Sequence, residues 1–108
     1  MGSHQYHEPA GELSPEVRTF ARMITSLQEE CEAIGWYEQR LALETDPEAR
    51  EIILHAQAEE CLHFSMDLEF LLRRHTKWRI AAQHVLLQPG NILQNATRGE
   101  EAQERSDG

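Results

Sequence analysis

Two helix-length apolar patterns in this chain are separated only by Thr45-Asp46-Pro47-Glu48, and that short break is its strongest constraint on fold. Asp46 suits a helix cap and Pro47 a first helical turn, so the second helix starts within a few residues of the end of the first. A connection that short forces an antiparallel hairpin. The same start signal occurs upstream at Leu13-Ser14-Pro15-Glu16, which predicts a first helix from Pro15 to about Glu44 and a second from about Pro47 to Arg74.

Each pattern carries polar residues inside its apolar stripe. On the first, Met23, Leu27, Glu30, Ile34, Tyr37 and Leu41 alternate steps of four and three. On the second, Ile53, Ala56, Glu60, His63, Asp67 and Phe70 do the same. Residues three apart on a helix have Cβ atoms roughly 5–6 Å apart, so Glu60 and His63 can share one metal ion. Glu30 and Glu60 each lie near the middle of their helix and meet at one level in an antiparallel hairpin. A carboxylate-bridged di-iron centre in a four-helix bundle takes a Glu from each of two helices and a Glu-x-x-His from each of the other two. This chain supplies half of that set, and a second copy would supply the rest.

A second apolar line, Leu54, Cys61, Phe64, Leu68, Leu71 and Leu72, covers another side of the second helix. One hairpin partner cannot cover both sides, which again calls for a second chain. Gly35 interrupts the first helix at a cost of about 1 kcal/mol relative to Ala and suggests close approach of another group. A shorter apolar segment from about Lys77 to Leu87 predicts a third helix that ends at Gln88-Pro89-Gly90. Residues 1–13 read as a flexible or surface-docked arm, 14–96 as one helical hairpin domain, and 97–108 as a disordered acidic tail.

With 108 residues, the chain is one small domain for which association is a natural source of extra core. Asp and Glu outnumber Lys and Arg by 19 to 10, giving a net charge of -9, and no basic cluster is interleaved with aromatics. Nucleic acid is therefore excluded as a partner and cations are favoured. No run approaches the ~20 apolar residues of a membrane span, and the N-terminus lacks a signal pattern. The chain reads as soluble and intracellular. Cys31 and Cys61 are too few for a disulfide scaffold and lack zinc-type spacing; they read as reduced thiols, either small buried residues or a buffer for oxidants. His75 and His84 read as capping or surface histidines, and His4 and His7 as adventitious metal binders.

The run Glu29-Glu30-Cys31-Glu32-Ala33-Ile34-Gly35-Trp36-Tyr37-Glu38-Gln39-Arg40, then Thr45-Asp46-Pro47, then His55-Ala56-Gln57-Ala58-Glu59-Glu60-Cys61-Leu62-His63, resembles the encapsulated ferritins of bacterial encapsulin nanocompartments. The resemblance extends from His7-Glu8-Pro9 to about Leu87. It implies an all-α protein, an antiparallel two-helix hairpin plus a short C-terminal helix, dimerising into a ferritin-like four-helix bundle. It further implies an annular decamer, and a ferroxidase centre whose di-iron ligands are Glu30, Glu60 and His63 with Tyr37 nearby. Glu29, Glu32 and Trp36 match a second interface site for calcium. His55 and Glu59 match an outer metal site in which Leu62 stands where an acidic residue is expected. Encapsulin shell protein is the implied partner and the cytoplasm, inside such a compartment, the implied location. Gly99 to Gly108 contains no Gly- and Leu-containing loading motif.

Two other readings fit the residues. One is a non-catalytic helical assembly protein whose acidic groups bind calcium or zinc structurally. The other is a different ferritin-like redox reaction that uses Cys31 and Cys61.

Overall fold

The computed structural model describes residues 5–106, and His4 lies outside them. The described residues are helical throughout apart from turns: α1 Pro15–Leu43, α2 Pro47–Leu72, α3 Thr76–Val85 and α4 Ile92–Glu104, with a 3-10 turn at Ala10–Glu12 before them. The chain divides into two compact units, Met1–Glu69 and Phe70–Gly108.

In the first unit, α1 starts as its sequence dictates. Ser14 Oγ accepts the Val17 N–H at 3.2 Å, and Pro15 occupies the first turn, where its missing N–H costs nothing. Arg18 Nη1 reaches back to the Ala10 carbonyl at 3.5 Å, so the end of the arm is docked on α1. At the hairpin bend Asp46 Oδ1 accepts the Ala49 N–H at 2.8 Å, and Glu44 Oε2 accepts the Asp46 N–H at 3.0 Å. The Arg50 guanidinium then donates to the carbonyls of Leu41 and Glu44, tying the first turn of α2 to the otherwise unpaired end of α1. Midway along, Gln57 Nε2 donates across the hairpin to Ile34 O at 3.2 Å and to Glu38 Oε1 at 2.9 Å. These bonds fix the register that places Glu30, one turn back on α1, beside Glu60, one turn forward on α2.

No residue of α1 is buried, and the buried residues of α2, Leu71 and Leu72, lie in its last turn. Among the large apolar side chains left open are Ile52, Leu54, Leu62, Met66 and Trp36. Two helices bury only the stripe where they meet. Close approach of a neighbour to Gly35, expected from sequence, does not occur among the described residues: a Cβ there would meet nothing within 4 Å.

The second unit contains the last turn of α2 with α3 and α4. His75 Nδ1 accepts the Trp78 N–H at 3.2 Å, so this histidine is the N-cap of α3. Leu87 at φ 60 and Gly90 at φ 95 turn the chain back, and Asn91 caps α4 by accepting the Gln94 N–H at 2.9 Å. The expected disordered tail from residue 97 is therefore not found; most of it is α4. The two helices run antiparallel. Lys77 Nζ donates to Gln103 O at 2.6 Å and Gln103 Nε2 returns a bond to Lys77 O at 2.8 Å, while Gly99 lies against Ala81 and His84. Asn95, 3% exposed, donates to Pro89 O at 3.1 Å. The packing face of α4 is polar and small, so it has no apolar period to read. No helix among the described residues is long and apolar enough to cross a membrane.

Candidate metal centre

Glu30 projects from the middle of α1, and Glu60 and His63 from adjacent turns of α2. One ligand atom from each lies within 4.8 Å of the others, close enough to surround one cation. His63 Nδ1 is 3.6 Å from Glu60 Oε1, and His63 Nε2 is 4.0 Å from Glu59 Oε2. The imidazole is half exposed while the Glu60 side chain is largely covered, so the cluster is closed on the hairpin side and open on the other.

Glu30 carries the clearest electrostatic signature. Burial pushes its pKa up to about 7, reinforced by a hydrogen-bonding contact with the Asp67 carboxyl and by the negative charges of Asp67 and Glu60; His63 opposes the shift. Its Oε1 is buried without a hydrogen-bond partner. A carboxylate oxygen hidden from water and lacking a donor is costly, and a bound cation removes that cost. Carboxylate oxygens with one imidazole nitrogen are a donor set that suits divalent iron. The residues present therefore fit a metal ion.

The other residues singled out from sequence are distributed around this cluster. Ser26, Glu29, Glu30 and Glu60 line one open depression of about 210 Å³, while Trp36 lines another of about 550 Å³ with Gln39, Arg40 and Leu43. Glu29, Glu32 and Trp36 are exposed. Tyr37, two turns along α1 from Glu30, is half-buried with the Arg40 guanidinium 5.1 Å from its ring centroid. His55 Nε2 lies 3.4 Å from Glu59 Oε1, which makes an exposed His55–Glu59–His63 ladder along α2. Cys31 and Cys61 are free thiols, exposed in the single chain, where the hairpin covers neither side chain.

Sequence reasoning did not single out Asp67. Its position in the same three-and-four line as Glu60 and His63 was the available signal.

The family model described as EncFtn-like matches residues 5–88, which include both long helices and every member of the cluster. The chain belongs to the EncFtn-like family. This EncFtn-like chain is 42% identical over 85 residues to the "Encapsulated ferritin-like protein" of Rhodospirillum rubrum, a match that covers 79% of this chain and 59% of that one. It is 39% identical over 97 residues to a "Ferritin-like protein" of Thermotoga maritima, covering 88% of this chain and 85% of the relative. Among solved structures, the crystal structure of protein ne0167 from Nitrosomonas europaea superposes with a TM-score of 0.77 at 37% identity, covering 81% of this chain and 96% of that chain. The family supports an iron-related, ferritin-like function.

Proposed function

We propose that this chain is a ferroxidase that binds Fe(II) between two copies of itself and oxidises it to Fe(III). The observation that carries the reading is the convergence of Glu30, Glu60 and His63 to within 4.8 Å on a face left open. A two-fold axis beside that face would bring two such sets together, with carboxylates bridging two iron ions and one imidazole on each. Ionised Glu30 and Glu60 would offset the charge that grows on iron during oxidation, and His63 would hold its site as a neutral nitrogen ligand. The electrons pass to oxygen or peroxide, the oxidant classes that such sites use.

The open apolar residues support the two-chain arrangement. Steps of seven, four and three lead along α2 from Ile52 through Glu59 and His63 to Met66, so these residues share one face. Ile52 is 65% and Met66 59% exposed in the single chain. A second hairpin laid on this face would cover them and complete the metal centre in one step, giving a four-helix bundle and, by repetition, the annular decamer.

Glu29, Glu32 and Trp36 would form a calcium-type site between subunits, and His55 with Glu59 an outer metal site that lacks a third acidic ligand at Leu62. Tyr37 would lie near the iron. The encapsulated relative in Rhodospirillum rubrum supports an encapsulin shell as partner and its lumen, within the cytoplasm, as location. An open ring has no closed cavity for mineral, so the Fe(III) product would be passed to such a compartment.

The test is aerobic addition of Fe(II) with near-ultraviolet absorbance as the signal. Rapid oxidation by the unaltered protein, lost in Glu30→Ala and in His63→Ala, is the expected result. Unchanged rates in both variants would overturn the assignment.

A further inference from the structure

Asp67 lies one helical turn beyond His63 on the same line of α2, outside the set Glu30, Glu60 and His63 whose atoms converge. Its carboxyl is nevertheless within hydrogen-bonding reach of Glu30. Its Oδ2 is buried and has no hydrogen-bond partner, and Glu30 Oε1 is in the same condition. These two are the only buried side-chain oxygens or nitrogens so left among the described residues.

We propose that Asp67 is a further protein ligand of the metal held by Glu30, contributing its buried Oδ2. The inference rests on the reading of Glu30, Glu60 and His63 as iron ligands. Its physical basis is the pairing of two orphaned acceptors. Carboxylate oxygens cannot donate to one another once ionised, and these two are buried from water. A bound cation meets both oxygens at once. An additional carboxylate also biases the site towards ions that favour oxygen and high coordination number, such as Fe(II) and Mn(II), over tetrahedral zinc.

The discriminating measurement is anaerobic Fe(II) titration by calorimetry of the assembled, otherwise unaltered chain and of two isosteric variants, Asp67→Asn and Glu30→Gln. It is made at about pH 8, where free carboxyls are ionised. Circular dichroism establishes that each variant keeps its helices. Asp67→Asn keeps the shape but removes the charge and one donor oxygen, and should weaken Fe(II) binding by about tenfold or more, the scale on which loss of a metal-site partner acts. It should weaken Fe(II) binding more than Zn(II) binding. Equal Fe(II) affinity in Asp67→Asn and the unaltered protein, with Glu30→Gln weakened, overturns the role of Asp67 and leaves the metal centre standing. Absence of Fe(II) binding by the unaltered protein overturns the metal centre and Asp67 with it.

Discussion

Gln57 donates to the Ile34 carbonyl oxygen across the hairpin at 3.2 Å, and this bond sets the level at which the two long helices meet. Its second bond, to Glu38 at 2.9 Å, makes the same side chain a two-point tie. Replacing Gln57 with Ala removes both bonds and leaves no buried charge behind. The loss is about 1–2 kcal/mol, from two neutral or singly charged bonds that are partly open to water. Denaturant melts of the metal-free protein should show it as a lower midpoint with an unchanged slope. An unaltered midpoint would mean that the register is set elsewhere.

Raising the pH should strengthen metal binding and weaken the metal-free fold. Glu30 has a pKa near 7 in the folded chain, against 4.5 for the free side chain. Below pH 4.5 it is protonated whether folded or unfolded, so it contributes nothing to pH dependence there. Between 4.5 and about 7 the unfolded chain has lost this proton and the folded chain has not, so stability falls as pH rises, then levels off. Metal must displace the same proton, so affinity should fall about tenfold per pH unit below 7 for one proton released per ion. Proton release on Fe(II) binding, measured in weakly buffered solution at pH 6 and pH 8, checks this: a release that does not shrink at pH 8 contradicts it.

The hairpin was legible because its signals are local. Ser14 and Asp46 cap helices by accepting the N–H three positions on, Pro15 and Pro47 fit the first turn without a donor to satisfy, and Glu60 with His63 needs only helical spacing to come together. Glu30 joins them because the short bend at residues 44–46 keeps the helices antiparallel and the Gln57 bonds to Ile34 and Glu38 bring the two middles level. Asp67 was visible on the right stripe, but a stripe does not tell which oxygen ends up hidden without a donor; that depends on how Glu30 fills the space opposite. The C-terminal helix α4 was not legible. It packs through Asn95 and Gly99 and through the reciprocal side-chain-to-backbone bonds of Lys77 and Gln103, and polar or absent side chains leave no apolar periodicity.

The two helical glycines should respond in opposite directions. Gly35 has nothing within 4 Å of an added Cβ, so Gly35→Ala should stabilise the single chain by about 1 kcal/mol through helix propensity alone. An added Cβ at Gly99 would sit 3.2 Å from His84 Cβ and 3.6 Å from Ala81 Cα, and a branched side chain has no room to retreat. Gly99→Val should therefore destabilise the α3–α4 pair by about 1–3 kcal/mol. Hydrogen exchange in residues 76–104 localises the effect. Full protection retained there in Gly99→Val would show that the two helices are not held by this close approach.

Association and iron oxidation should fail together. Ile52 and Met66 flank His63 on the open face of α2, and neither is needed to hold the hairpin, since both are more than half exposed in the single chain. Changing both to Glu should leave the metal-free chain within about 0.5 kcal/mol of its original stability, as exposed substitutions generally do. Placed in an interface, the same two carboxylates would face their symmetry copies beside a centre already rich in negative charge, and like charges in a desolvated seam are strongly repulsive. Sedimentation should find the double variant monomeric at concentrations where the unaltered chain associates. Iron oxidation should be lost although Glu30, Glu60 and His63 are all present, because on the proposed arrangement each chain alone holds half of the ligands. A monomeric double variant that oxidises Fe(II) at the original rate would place the whole reaction within one hairpin and remove the need for a partner.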